Sequence, residues 1–129
     1  MKAVILLGAG ALALSACSAK MDDQTRPSKA PAARVVGEAR SCLPINQVSQ
    51  SRVYDDRTID FRVGSRTYRN TLPQSCPSLG FEKAFTYETS LSQLCNTDII
   101  YVLRTTAGRP ERGGACGLGS FVPVELEKR

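Results

Sequence analysis

Four acidic residues carry side chains that could act as acid and base in a hydrolysis: Asp55, Asp56, Asp60 and Glu88. Cleavage of a glycan by two carboxyl groups requires them about 5 to 9 Å apart in a cleft. Asp55 and Asp56 are adjacent, and adjacent side chains on an extended chain point to opposite sides. Asp55, Asp56 and Asp60 could alternatively bind calcium, but residues 55–60 lack the ligand spacing and the glycine of a calcium-binding loop. Because aspartates bond to nearby backbone amides, the pair followed by Arg57 is interpreted first as a turn between strands.

Histidine is absent from the chain, which removes the commonest general base and the imidazole metal ligand. Catalytic triads built on Ser–His or Cys–His are therefore excluded. Residues 107–115 are rich in glycine and arginine, but no helix pattern follows and no G-x-G-x-x-G or Walker motif is present. An exposed loop is predicted there. The chain is predicted not to be an enzyme, with no catalytic residue, no cofactor and no metal ion.

Three arginines near one predicted hairpin form a candidate anion-binding patch: Arg62, Arg66 and Arg69. Guanidinium groups bind phosphate and carboxylate, so a cluster of them on the outer side of a sheet would attract an anionic glycan or lipid. The alternative interpretation is a solvated sheet face whose charges serve solubility.

An apolar run at residues 4–14 follows Lys2 and is too short to span a membrane, which takes about 20 residues. The run ends in Leu14-Ser15-Ala16-Cys17. This order of charged start, apolar middle, small residues and cysteine resembles a bacterial lipoprotein signal peptide with its lipobox. The alternative is an ordinary signal peptide, cleaved after Ala16 or Ala19, with Cys17 lost or left as an odd thiol.

The resemblance implies that the Cys17 thiol receives a diacylglyceryl group, that residues 1–16 are removed, and that the new amine is acylated, typically with palmitate. Stable anchoring takes two acyl chains, so three would hold the protein on a membrane. Ser18, in place of an aspartate, implies by the same resemblance the inner leaflet of the outer membrane, facing the periplasm. Residues 17–38 are then a lipidated anchor and flexible tether, rich in proline, alanine, serine and charges of both signs.

Four cysteines remain once Cys17 is assigned to lipid: Cys42, Cys76, Cys95 and Cys116. An even number in an oxidising compartment predicts two disulfides. A metal site would bring its ligands in C-x-x-C pairs, whereas the nearest two cysteines here are 19 positions apart. Of the three possible connectivities, two keep the partners at the same end of the predicted sheet. The preferred one joins Cys42 to Cys116, which ties the terminal strands, and Cys76 to Cys95, which bridges the loops flanking one hairpin. Each bridge should stabilise the domain by roughly 2 to 4 kcal/mol.

The elements that must position these residues are mostly strands. Residues 58–63 alternate between apolar and polar, Gly64-Ser65 fits a two-residue hairpin turn, and residues 66–72 return as the partner strand. Further strands are predicted at residues 48–54, at 85–89, at 98–104 as a central strand covered on both faces, and at 121–124. Pro123 favours an edge position for the last strand, and residues 82–84 favour a short helical turn.

The predicted fold is mainly β, a small antiparallel sheet that closes into a barrel or a sandwich, with two disulfides and at most one short helix. Its domain covers residues 39–125, and residues 126–129 form a polar tail. The stretch from Cys42 to Val124 resembles an uncharacterised family of small Gram-negative lipoproteins, a domain of unknown function. The residues that carry the resemblance are Cys42, residues 53–59, Tyr68-Arg69, residues 76–79, Leu94-Cys95, residues 98–100 and Cys116. The resemblance implies strands and disulfides and supplies no reaction or ligand.

The formal net charge is +5, from arginines and lysines scattered along the chain, so no specific nucleic-acid partner is predicted. The predicted function is a non-enzymatic binding or envelope-maintenance module, attached to the membrane through Cys17, whose partner is an envelope protein or an anionic glycan or lipid. One alternative is inhibition of a lysozyme-like enzyme, although a positive surface fits a basic lysozyme poorly. The other is a cell-wall hydrolase that uses the four acidic residues named above.

Overall fold

The computed structural model describes residues 28–89 and 91–127. The predicted signal peptide, Cys17 and the first part of the predicted tether lie outside the described residues. The strands are β1 (Ala33–Val35), β2 (Cys42–Pro44), β3 (Val48–Val53), β4 (Thr58–Val63), β5 (Arg66–Thr71), β6 (Phe85–Tyr87), β7 (Gln93–Cys95), β8 (Ile99–Thr106), β9 (Arg109–Gly117) and β10 (Phe121–Leu126). Within the described residues, one helix, α1 (Leu79–Glu82), and one 3-10 turn (Ile45–Gln47) accompany them. The fold is therefore mainly β.

The hairpin β4–β5 forms as the alternation predicts. Its register runs from Thr58 opposite Thr71 to Val63 opposite Arg66, and Gly64 adopts a φ of 61° in the turn between the strands. A positive φ is easily adopted by glycine, because it has no Cβ atom. The predicted strand at residues 48–54 is β3, which pairs with β4.

The largest sheet has five strands in the order β1-β10-β5-β4-β3. The predicted edge position of the last strand is therefore wrong, because β10 lies between β1 and β5. Pro123 is tolerated there because its carbonyl accepts the Val36 N–H at 2.9 Å, so its ring nitrogen also faces the side of β1. Val36 lies just past the end of that three-residue strand. The missing N–H thus removes no hydrogen bond to β5.

A second sheet has the order β6-β8-β9, and β2 pairs with β7 in a small ladder. The strand β8 is central in its sheet as predicted, but it is not covered on both faces, since Ile100 and Val102 are buried while Ile99 is 47% exposed. The predicted loop at residues 107–115 is wrong, because most of it is β9. Its glycines allow close pairing: a Cβ atom on Gly113 would lie 3.1 Å from the Val102 carbonyl oxygen.

The core lies between the sheets. Phe61 of β4 makes edge-to-face contacts with Phe121 of β10 and with Phe85 of β6, at ring-centroid distances of 5.4 Å and 6.0 Å. Such pairs add to the free energy of burial. The fully buried aliphatic side chains around them are Leu43, Ile59, Leu72, Leu79, Leu94, Ile100 and Val102. The sheets are antiparallel and packed as in a sandwich, and among the described strands none closes into a barrel.

The two disulfides are present, but the predicted pairing is wrong: the bonds join Cys42 to Cys95 and Cys76 to Cys116. Cys42 and Cys95 lie directly opposite each other where β2 pairs with β7. The prediction placed Cys42 and Cys116 at the same end of one sheet. Instead, the chain leaves the large sheet after Arg40, which bridges Phe121, and forms a separate ladder.

The predicted boundary between tether and domain, at residue 38, also lies too late. Strand β1 belongs to the large sheet, and before it the Ser28 hydroxyl and the Lys29 N–H both donate to Asp55 Oδ2 at 3.0 Å. The carbonyl of Pro31 accepts from Arg69. The short helix α1 begins three residues earlier than the predicted helical turn, and β10 extends to Leu126, the first residue of the predicted tail.

Candidate functional site

The adjacent carboxylates Asp55 and Asp56 form a turn, as the sequence favours. Asp55 Oδ1 accepts the Arg57 N–H at 2.9 Å, and Oδ2 receives the bonds from the chain at residues 28–29. Burial alone would raise the pKa of Asp55, but the hydrogen bonds from Arg57, Lys29 and Ser28 outweigh it and the pKa is lowered. Asp55 is therefore held as an anion that fastens the segment at residues 28–29 to the turn after β3.

The other three carboxylates are also engaged in contacts between segments. Asp56 Oδ1 accepts the Gly80 N–H at 2.7 Å. Asp60 receives two hydrogen bonds from Arg69, at 2.8 and 3.0 Å, and Glu88 forms an ion pair with Arg112. In residues 28–89 and 91–127, no three Cys, His, Asp or Glu side chains gather as metal ligands. The candidate acid–base residues thus serve as structural acceptors.

The predicted patch of Arg62, Arg66 and Arg69 is divided by the sheet. Side chains alternate along β5, so Arg66 and Tyr68 share the inner face while Thr67 and Arg69 share the outer one. Arg62 lies opposite Thr67 and is therefore on the outer face. Arg69 is held by its carboxylate partner, with only 16% of its side chain exposed. The three guanidinium groups thus do not form one patch, since the pleat separates them.

A different pair of arginines converges on the Tyr68 hydroxyl. Arg40 Nη1 donates to that oxygen at 3.4 Å, and the Arg40 Cζ atom lies 5.7 Å from the ring centroid. Arg66 lies two residues before Tyr68 on the same face of β5. Hydrogen bonding by Arg40, followed by that of Arg66 and the charge of both, outweighs burial and lowers the pKa of Tyr68. Both arginines are exposed.

A second notable feature is residues 76–83, here called the Phe81 loop, which contains α1. Leu79 is fully buried in the core, and Gly80 packs so closely on the Asp55–Asp56 turn that a Cβ atom would lie 3.0 Å from the Asp55 backbone. The disulfide at Cys76 fixes the beginning of the loop. The loop is therefore attached to both sheets.

Two residues of the Phe81 loop adopt left-handed backbone conformations that non-glycine residues rarely take. Ser78 has a φ of 74° and Lys83 a φ of 55°, immediately before and after α1. Each such conformation costs about 1 kcal/mol or more. Between them Phe81 is 86% exposed, the highest exposure among the large hydrophobic side chains described. The loop thus holds a phenyl ring in water on a strained and fixed backbone.

Sequence reasoning missed Arg40, Tyr68 and Phe81 as site residues. Residues 66–72 were predicted as a strand, but the local pattern gave no sign that Arg40 would bond to the Tyr68 hydroxyl. Arg40 reaches that place through the long-range bridge to Phe121. The sequence carries no local signal that Phe81 is exposed, because phenylalanine is among the residue types most often buried.

Comparison of the chain with models of protein families, with curated proteins and with solved structures found no match. The resemblance to a lipoprotein family therefore stays a prediction. In the part of the chain that the structure describes, no helix is long and apolar enough to span a bilayer.

Proposed function

We propose that the protein is a membrane-anchored, periplasm-facing lipoprotein of the outer membrane, attached through Cys17, and that it acts as a non-enzymatic binding module for another envelope protein. The signal-like order of residues 2–17 supports the anchor. Two disulfides in a small domain support an oxidising compartment. The contact surface in this proposal is the Phe81 loop.

The exposure of Phe81 is the observation that carries the binding function. Burying a phenylalanine side chain is worth roughly 1.5–3 kcal/mol, and the isolated domain forgoes that gain. The surrounding backbone is fixed by a disulfide, by the buried Leu79 and by the bond from Gly80 to Asp56, so little further ordering would be lost on binding. A rigidly held aromatic side chain is the usual centre of a protein–protein contact.

The charges beside Phe81 favour a protein partner over a bilayer. Glu82 precedes Lys83 directly after the phenylalanine, and Asp55 and Asp56 lie against Gly80. An anionic membrane or a nucleic acid would select positive charge, whereas a rim of both signs around an apolar centre is typical of protein interfaces. The partner should therefore offer an apolar pocket with a mixed polar rim.

The contact is tested by photocrosslinking in cells, with benzoylphenylalanine in place of Phe81 in the full chain. Leu126 is the matched control, since it is an exposed apolar residue on β10, in the large sheet and outside the loop. We expect one discrete protein adduct from position 81 and none from position 126. The partner, purified after identification by mass spectrometry, should bind the Phe81→Ser variant at least about tenfold more weakly, because one buried aromatic contributes that much. Adducts with lipid alone, or identical adducts from both positions, would contradict the proposal.

The anchor is tested separately through Cys17. We expect the mature protein to begin at Cys17, to carry the mass of three acyl chains and to enter the detergent phase on partition. The Cys17→Ser variant should remain in the aqueous phase. A wild-type protein with an unmodified thiol would refute the anchor without affecting the crosslinking result.

The absence of catalysis in this proposal is supported by the structural use of the carboxylates, and it is tested by a cell-wall digestion assay. We expect no turnover from the wild type. Turnover that disappears in Asp56→Asn or Asp60→Asn variants of unchanged fold would instead favour a hydrolase.

A further inference from the structure

The Tyr68 phenol presents its oxygen between two cationic side chains. The ring is buried in the core, with 4% of the residue exposed, and packs under the Arg40 guanidinium. Its hydroxyl accepts from Arg40, and Arg66 lies two residues before Tyr68 on the same face of β5 and helps to lower the pKa of the phenol. A buried ring thus fixes the position of a hydroxyl beside the exposed side chain of Arg40.

Among residues 28–89 and 91–127, no carboxylate balances the charges around this hydroxyl. Arg34, Arg69 and Arg112 each form an ion pair with an acidic residue. Neither Arg40 nor Arg66 takes part in the ion pairs formed among the described residues. The charges that act on the Tyr68 phenol are those of these two arginines, and no described carboxylate contributes. Two guanidinium groups brought together without an anion repel each other, and a bound anion would remove that repulsion.

We propose that Arg40, Arg66 and the Tyr68 hydroxyl form a binding site for a phosphate group. Two guanidinium groups supply two positive charges and several N–H donors, which match the charge and the acceptor oxygens of a dianionic phosphate better than a single carboxylate. The hydroxyl both accepts and donates, so it can turn its proton toward the bound oxyanion. The site is independent of Cys17 and of the Phe81 loop, so neither result above decides it.

The four tyrosines allow a direct test by NMR of the full mature protein, labelled at tyrosine Cζ, in an uncharged detergent. The pKa of Tyr68 is measured in inorganic phosphate and in chloride at equal ionic strength. We expect it to rise in phosphate toward its ordinary value of about 10, because the dianion cancels the field of the two arginines. Tyr54, Tyr87 and Tyr101 serve as internal controls. A Tyr68 pKa that changes no more than theirs would overturn the site.

The assignment to residues is tested with single variants. Arg40→Gln and Arg66→Gln should each raise the half-saturating phosphate concentration at least about tenfold, since each removes charge-assisted hydrogen bonds. Arg62→Gln is the matched control, because it makes the same charge change on the opposite face of the hairpin and should leave binding unchanged. Equal weakening by all three variants would mean nonspecific attraction and would refute the site.

The source of the phosphate group is distinguished by repeating the titration with the protein anchored in phosphatidylcholine nanodiscs, with and without phosphatidic acid. A Tyr68 response to phosphatidic acid identifies a lipid headgroup as the ligand. A response only to inorganic phosphate identifies a soluble phosphate group, not a lipid headgroup, as the ligand. A response to neither excludes phosphate recognition.

Discussion

At the scale of single residues, Asp55 illustrates how a chemically capable group is used for structure. Its carboxylate accepts bonds from the Arg57 and Lys29 amides and from the Ser28 hydroxyl, and these bonds hold its pKa below the ordinary value of 3.8. A carboxyl group whose folded pKa is lowered stabilises the protein above its unfolded pKa, and that contribution is lost as the pH falls through the folded pKa.

The Asp55→Asn variant should be less stable than wild type at pH 7, by at most about 1 kcal/mol because the carboxylate is partly exposed and screened. The difference should shrink as the pH falls below about 4, where the unfolded carboxyl becomes protonated, and it should be lost as the pH passes the lowered folded pKa. Urea unfolding at several pH values measures it, and hydrogen exchange at Lys29 reports the release of the N-terminal segment. Glu111→Gln is the control for the change of charge. A difference independent of pH would contradict this role.

Asp60 and Arg69 form the ion pair with the least exposure, 6% and 16% of their side chains. Replacing only one partner, as in Asp60→Leu, should cost about 3 kcal/mol because it leaves a poorly solvated charge unpaired. The double replacement Asp60→Leu with Arg69→Met should be more stable than Asp60→Leu alone. A double-mutant cycle by urea unfolding measures the coupling, and strictly additive losses would show that the pair is not coupled.

At the scale of elements, one side chain joins the segment before β10 to β5. The buried Asn70 amide donates to the Gly119 carbonyl at 2.7 Å and accepts the Gly119 N–H at 2.8 Å, as a paired strand would. The backbone at Gly119 lies so close to the end of β5 that a Cβ atom on Gly119 would lie 2.3 Å from the Thr71 carbonyl oxygen. The chain can enter β10 beside β5 because residue 119 has no side chain.

Gly119→Ala should therefore destabilise the protein by about 2–3 kcal/mol, because the methyl group must displace backbone. Gly114→Ala is the matched control, since nothing lies within 4 Å of a Cβ atom there. Its effect should stay within about 0.5 kcal/mol. Thermal and urea unfolding of both variants measure the difference. Equal free energies of unfolding for the two variants would show that the chain at residue 119 can move away from β5 without loss of stability, and would contradict this role of Gly119.

At the scale of the whole molecule, the disulfides interlock distant parts of the chain. Cys42–Cys95 closes 53 residues and Cys76–Cys116 closes 40, and the two loops overlap in the sequence. The second bond connects the segment after β5 of the large sheet to β9 of the second sheet. It therefore joins two sheets that are otherwise held together by side-chain packing.

Non-reducing peptide mapping should recover Cys42 with Cys95 and Cys76 with Cys116. Removing either bond, by Cys42→Ala with Cys95→Ala or by Cys76→Ala with Cys116→Ala, should cost about 2–4 kcal/mol because long loops are released in the unfolded chain. Urea unfolding compares the two double variants. Recovery of Cys42 with Cys116 would contradict the arrangement of the sheets described above.

Local pattern was enough to predict the hairpin β4–β5, because alternation and a glycine turn act over a few neighbouring residues. The number of disulfides was also predicted correctly, because it follows from the number of cysteines left after Cys17 is assigned to lipid. Local pattern failed for β9, because its glycine-rich sequence is typical of a loop although it pairs with β8. It also failed for the burial of β8, because burial depends on which elements pack against the strand. The candidate site followed the same division: the strand that carries Tyr68 was predicted, but the contact of Tyr68 with Arg40 was not.

The sequence by itself determined the strands with strong periodicity, the lack of histidine chemistry and the availability of four cysteines for bridges. Only the tertiary structure decided which cysteines pair and that β10 lies inside its sheet. It also decided that Arg40 bonds to the Tyr68 hydroxyl on the face that carries Arg66, whereas Arg69 forms an ion pair with Asp60. The physical reason is that periodicity fixes the face on which a side chain lies, whereas its neighbours on that face come from strands paired across long stretches of chain.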